Sequence, residues 1–225
     1  MLRVVDWGTR EYSEALGAMR DLVRARRAGE VADTLVLVEH PPVVTVGVEG
    51  DDGAAAASGL PVVAVERGGK ATYHGPGQLV AYPVVDLDSR GRDVRAFVHD
   101  LEATVVQTIA EWGVGGAHVP GRRGVWVDGR RKIASVGVAV EGWVTFHGTA
   151  LNVDIDLRPF ERFHPCGFDG PVMTSLARET GRPVSVAATK PAFVRAFRER
   201  FGASHPAAPT AAEEGAARVA PAPSG

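Results

Sequence analysis

The chain has 225 residues and a mass of 23.7 kDa, enough for one sizeable domain or at most two small ones. With 45% hydrophobic and 23% charged residues it is neither a disordered chain, a collagen-like repeat nor a disulfide-stapled miniprotein. A net charge of −2 and a pI near 6.4 argue against nucleic-acid binding driven by bulk positive charge, and the single cysteine rules out an internal disulfide and fits a reducing compartment.

The start, Met1-Leu2-Arg3-Val4-Val5-Asp6, meets charge at once and has no apolar signal region. No apolar run nears the roughly 20 residues of a membrane span, so the expectation is a soluble cytoplasmic protein with no membrane partner. Leu2 to Asp6 reads as a strand. Thr9 is a candidate cap for a helix to about Arg27, with Tyr12, Leu16, Met19 and Val23 on one face. Thr34–Glu39 and Val43–Val46 are β-rich runs parted by Pro41-Pro42, and Asp51–Gly59 reads as a loop. A strand over Pro61–Glu66 leads into a Gly-rich loop, 67–78, and a buried strand follows over Leu79–Leu87. The spacing of Phe97, Leu101, Val105, Ile109 and Trp112 predicts a helix over Val94–Trp112. Val125–Val127, the turn Asp128-Gly129 and Lys132–Val140 read as a hairpin, with Trp143–Ile155 as a further strand. A Pro- and Gly-punctuated stretch, 159–171, precedes a last helix over Pro191–Phe201, with proline near its first position. The domain is expected to span 1–202. Residues 203–225, rich in Ala and Pro, are expected to form a disordered tail. Strands cluster around two long helices without regular alternation, which predicts an α/β (α+β) domain rather than a doubly wound sheet.

Three segments carry chemistry. R-G-G-K-A-T-Y-H-G-P-G-Q, 67–78, combines glycines, which let backbone approach a ligand, with hydrogen-bonding side chains. It is not a phosphate loop, because Lys70 is followed by Ala71. It is not a dinucleotide fingerprint either, because it leads into a strand. In the second, 130–150, strand alternation puts Lys132, Ala134, Val136 and Val138 on one face and Ile133, Ser135 and Gly137 on the other. His147-Gly148 marks a bulge or a close approach. In the third, Pro165 and Gly167 are expected to hold Cys166 at a sharp bend. The seven histidines lack chelating spacing, so no metal site is expected. Of 25 cations, 22 are Arg; the lysines are Lys70, Lys132 and Lys190. Lysine can give up a proton when desolvated and arginine cannot. A lone cysteine and a rare lysine together point to covalent catalysis.

Taken together, E-H-P-P-V (39–43), R-G-G-K-A-T-Y-H-G-P-G-Q-L-V (67–80), K-I-A-S-V-G (132–137), H-G-T-A-L-N-V (147–153), P-C-G (165–167) and T-S-L (174–176) resemble, in order, the octanoyl-[acyl-carrier-protein]:protein octanoyltransferases, the lipoate–protein ligase B family. The resemblance spans about residues 35 to 180. It implies the mixed sheet flanked by helices that biotin and lipoate protein ligases share. It also implies movement of an octanoyl group from octanoyl-acyl carrier protein to a lysine of apo lipoyl domains, those of 2-oxoacid dehydrogenase complexes and glycine cleavage H protein. By the same likeness, Cys166 carries the acyl group and Lys132 tunes it and shuttles protons. The acyl site is lined by Arg67, Gly68, Gly69, Lys70, Ala71, Thr72, Tyr73 and His74, by Ser135, Val136 and Gly137, and by Gly148, Thr149 and Ala150. A thioester is already activated, so no cofactor or ATP is required. Val136, Val138 and Leu151 are candidate walls for the acyl chain, and Arg90, Arg92, Arg122, Arg123, Arg130 and Arg131 are candidate contacts to an acidic carrier protein. Two alternatives stay open at this point: an ATP-dependent lipoate or biotin ligase on the same fold, and a non-catalytic acyl- or carrier-protein-binding module.

Overall fold

In the computed structural model, which describes residues 2–50, 53–162 and 172–202, the N-terminal unit is a parallel crossover. β1 (Arg3–Thr9) pairs with β2 (Thr34–Glu39), and α1 (Tyr12–Arg27) connects them. Thr9 does not cap α1. It stays in the ladder opposite Glu39, and the Arg10 N–H bonds the Glu39 carbonyl, so the helix starts at Tyr12 behind Glu11. Tyr12, Leu16, Met19 and Val23 are the buried stripe that their spacing predicts.

Seven strands form the main sheet. β2 is followed in space by β6 (Gln78–Val84), β10 (Val144–Asn152), β9 (Arg131–Glu141), β8 (Arg122–Val127) and β7 (Ala117–Val119), and every pair except β1–β2 is antiparallel. Alternation sorts its two faces. Leu35, Leu37, Leu79 and Ala81 join the core under the two long helices, whereas Val36, Val38, Val80 and Tyr82 meet α1. Those long helices are α3 (Val94–Ala110), capped by the Asp93 carboxylate on the Arg95 and Ala96 N–H groups, and α5 (Val186–Phe201). α5 begins before the Pro191 start that the sequence suggests. Ser185 accepts from the Ala188 N–H, and packing of Phe193 and Phe197 holds the helix through Pro191 despite the lost backbone donor.

A second sheet has three strands in the order β4 (Val62–Ala64), β3 (Val43–Val46), β5 (Ala71–His74). β5 lies inside the segment expected to be loop throughout; pairing with β3 makes it a strand, with Thr45 opposite Thr72. Other departures are local. Ala54–Ala57 forms a short helix, α2, where a loop is expected, and α4 (Leu176–Thr180), β7 and two 3₁₀ turns at Asp88–Arg90 and Arg158–Arg162 are additional. The 203–225 stretch and Cys166 lie outside the described residues. Among the described residues no helix is long and apolar enough to cross a membrane.

Candidate active site

Between the two sheets lies a cavity of about 210 Å³. The main sheet supplies Val80, Tyr82, Lys132, Ser135, Val136, Gly137, His147, Gly148, Thr149 and Ala150. The small sheet supplies Ala71, Thr72 and His74, and α1 supplies Tyr12. Arg67, Gly68, Gly69, Lys70, Glu49 and the 121–123 turn form the rest. All three segments singled out for the acyl site therefore meet at one place, together with Lys132. Tyr73 is the exception. Its ring packs edge-on against Phe160 at 5.3 Å, with its hydroxyl over Gly75, where a Cβ would sit only 2.2 Å from that oxygen. Of the three candidate walls only Val136 lines the cavity; Val138 and Leu151 pack with the core under α3 and α5. The alternation drawn for β9 does not sort the site either, because Lys132 and Val136 line it and so do Ser135 and Gly137.

Lys132 is buried, 1% exposed, with Nζ 5.7 Å from the centre of the Trp126 ring. Its stem passes Gly124, where a Cβ would come within 2.8 Å of Lys132 Cε and 2.2 Å of the Ala134 carbonyl, at a φ of +102°. Gly124→Ala is expected to cost about 1–3 kcal/mol of stability and to displace the lysine, measurable by urea unfolding and by turnover. The Lys132 backbone is also a docking point. Its N–H donates to the Val172 carbonyl at 2.7 Å and its carbonyl accepts from the Thr174 N–H at 3.0 Å.

The Gly-rich segment is held by Arg67. This guanidinium donates to the carbonyls of Thr45 (2.8 Å), Gly68 (3.1 Å) and Lys70 (2.9 Å) and to Thr45 Oγ1 (2.8 Å). The loop is thereby wrapped around a charge, and the Gly68 N–H pins it to the Val138 carbonyl on β9. Gly137 and Gly47 allow this closeness. A Cβ on Gly137 would lie 2.9 Å from the Gly68 carbonyl oxygen, and one on Gly47 would lie 2.3 Å from the Gly69 oxygen.

A buried relay runs from the lysine's strand to His74, and one carbonyl fixes its direction. The Thr174 carbonyl can only accept, so Asn152 turns its amide nitrogen to it (2.9 Å). Asn152 Oδ1 then accepts from Gln78 Nε2 (2.9 Å), and Gln78 Oε1 accepts from His74 Nδ1 (2.7 Å). His74 is thus the Nδ1–H tautomer. A second relay starts at the Arg10 carbonyl, which takes the His40 Nδ1 proton (2.8 Å) and leaves Nε2 to accept from the Tyr82 hydroxyl (2.8 Å), and the Tyr82 and Tyr12 hydroxyls are hydrogen-bonded to each other. Burial drives the pKa of His74 down to about 3, helped by the nearby His40, and it drives His40 and His147 down to about 4. Burial raises Tyr12 to about 12 and Tyr82 well above the usual tyrosine range. At neutral pH these five groups carry no charge. Neither Tyr12, Tyr82 nor Glu49 stands out from sequence as a site residue, since α1 periodicity and strand burial already account for the tyrosines; His40 is marked only by its place in E-H-P-P-V. Among the described residues no group of three or more His, Cys, Asp or Glu is placed to hold a metal ion.

The arrangement of a mixed sheet with a small second sheet has counterparts among solved structures. Residues 11–198 match the lipoyl protein ligase A/B catalytic domain, and the chain belongs to that family. Its fold aligns with a crystal structure of lipoate-protein ligase A bound with ATP at a TM-score of 0.75, over 96% of this chain and 92% of that one, at 18% identity. Within the family its relatives are octanoyltransferases, which makes it an acyltransferase. It is 45% identical to the octanoyltransferase of Geobacter sulfurreducens over 87% of this chain and 83% of the relative, and 45% identical to that of Syntrophotalea carbinolica over 87% and 92%.

Proposed function

We propose that this protein moves an octanoyl group from the thioester of octanoyl-acyl carrier protein to a lysine of apo lipoyl domains, in the cytoplasm, through a thioester on Cys166. The acceptors are the lipoyl domains of 2-oxoacid dehydrogenase complexes and glycine cleavage H protein. The catalytic unit is residues 1–202, with 203–225 a tail that chemistry does not need. One observation carries the reading. Lys132 is buried at the cavity, and its backbone binds Val172 and Thr174, where the chain returns to the described structure six residues after Cys166. Six residues reach at most about 20 Å, so an approach of the thiol to the lysine is within the chain's span.

The chemistry balances without an outside reagent. The Cys166 thiolate adds to the thioester carbonyl, and the carrier's thiolate leaves with a proton from Lys132. The acceptor amine then adds to the acyl-cysteine, the Cys166 thiolate leaves, and Lys132 takes the amine's proton. Free energy already stored in the thioester drives both steps, so no nucleotide is consumed. Backbone N–H groups of the Gly-rich turns are candidates to hold the oxyanion. Val80, Val136 and Ala150 offer apolar wall to the chain, where each buried CH₂ contributes about 0.8 kcal/mol. The test is transfer in purified components: octanoyl-carrier protein, apo lipoyl domain and this protein, without nucleotide. The lipoyl domain should gain one octanoyl group by mass. Transfer that requires free octanoate and ATP would overturn the reading in favour of a ligase.

A further inference from the structure

The cavity is lopsided in charge. Arg67, Lys70, Arg122, Arg123 and Lys132 line it, against Glu49 as the one acid among the described lining residues. Three of the cations are engaged away from the rim. Arg67 is committed to loop carbonyls, Lys132 is buried against Trp126, and Arg122 lies over the Trp126 ring at 5.4 Å. Arg123 and Lys70 are on the rim. Arg123 is 57% exposed, and its Nη1 lies 2.7 Å from Glu49 Oε1, on a residue 45% exposed. That same carboxylate oxygen accepts the Gly69 N–H at 3.0 Å. A backbone N–H and a guanidinium converging on one oxyanion is how proteins hold phosphate. Gly68 keeps the approach open, since a Cβ there would crowd Arg123 Nη1 at 3.2 Å. Glu49 therefore fills a position built for an anion oxygen, and it does so through a hydrated, weak ion pair that a stronger anion can displace.

We propose that this rim is an anion subsite. Arg123, Lys70 and the Gly69 N–H receive the phosphate of the donor's phosphopantetheine arm, and Glu49 occupies the position until that phosphate displaces it. The proposal rests on the octanoyl-transfer reading for its ligand, though not for its geometry. It makes Arg123 a specificity residue for the donor and gives the acyl chain a fixed entry point.

Isothermal titration with 4′-phosphopantetheine and with pantetheine, neither acylated, tests the subsite directly. The wild-type protein should bind the phosphorylated arm roughly five- to tenfold more tightly at low salt, with the preference shrinking as salt rises. Arg123→Gln should erase the preference and Glu49→Gln should enlarge it. Equal binding of the two arms, no detectable binding of either at millimolar concentration, or a preference that survives Arg123→Gln would overturn the proposal. So would a phosphate preference seen only with the intact carrier protein, because that would assign these cations to its acidic surface. If the preference holds while the octanoyl thioester never acylates the protein, the subsite stands and the transfer reading falls.

Discussion

Lys132→Met is expected to lower kcat for octanoyl transfer by about 10²–10⁴-fold while the protein stays folded, and Lys132→Arg to lower it almost as far. Methionine matches the lysine stem in length and meets Trp126 and Gly124 without a charge to bury, so melting should change little. Arginine keeps the charge, but it does not exchange its proton at working pH, and its planar head is larger than the ammonium it replaces. The pair separates two roles. If Lys132 acted only as a fixed positive charge, arginine would rescue and methionine would not. If it moves protons, neither rescues. Steady-state rates on both variants, with circular dichroism as the folding control, distinguish the cases, and near-wild-type turnover of Lys132→Arg would remove the acid–base role.

The second large effect is on stability in acid. Between pH 7 and pH 5 the protein should lose about 6 kcal/mol of unfolding free energy through three histidines, about 2 kcal/mol from each. Unfolded, each takes up a proton as the pH falls through 6.5. In the folded protein His40 and His147 resist until about pH 4 and His74 until about pH 3. The unfolded state therefore binds more protons across this window, and stability falls as the pH drops. The carboxylates whose pKa lies below normal, such as Glu49 beside Arg123 and Glu179 beside Arg131, lose their contribution only at lower pH and do not blur the window. Urea unfolding at pH 7, 6 and 5 measures the slope. A flat profile would mean that these rings are protonated or hydrated in the native state.

Parts of this architecture are readable from the chain because local physics decides them. Thr34–Glu39 and Val43–Val46 have their predicted limits, since Pro41-Pro42 cannot continue a ladder. The α1 stripe and the α3 face of Phe97, Leu101, Val105 and Ile109 follow from spacing, although α3 ends at Ala110 and leaves Trp112 in the turn beyond it, only partly buried. β5 is different. Four residues among glycines have no strand signal of their own, and only the β3 partner creates one. α5 likewise starts at a serine cap whose signal is weaker than the proline inside the helix. For the site, segments 67–74, 135–137 and 148–150 border one cavity, but which of their side chains face it depends on tertiary packing. Tyr73 turns to Phe160, while Tyr12, buried like any core residue, reaches the cavity through a hydroxyl relay. The Glu49–Arg123 contact joins residues far apart in sequence and has no sequence signature. Arg90, Arg92 and Arg131, candidates for carrier contact, are paired with Asp33, Asp88 and Glu179.

The proposed transfer passes through a covalent acyl-enzyme. Its most direct test is the intact mass of this protein after brief incubation with octanoyl-acyl carrier protein and no acceptor, for wild type and for Cys166→Ser. The wild type should gain one octanoyl group, released on addition of apo lipoyl domain, and the serine variant should gain none that the acceptor can remove. An unchanged wild-type mass alongside continued transfer to the lipoyl domain would contradict the covalent step and leave a direct transfer in its place.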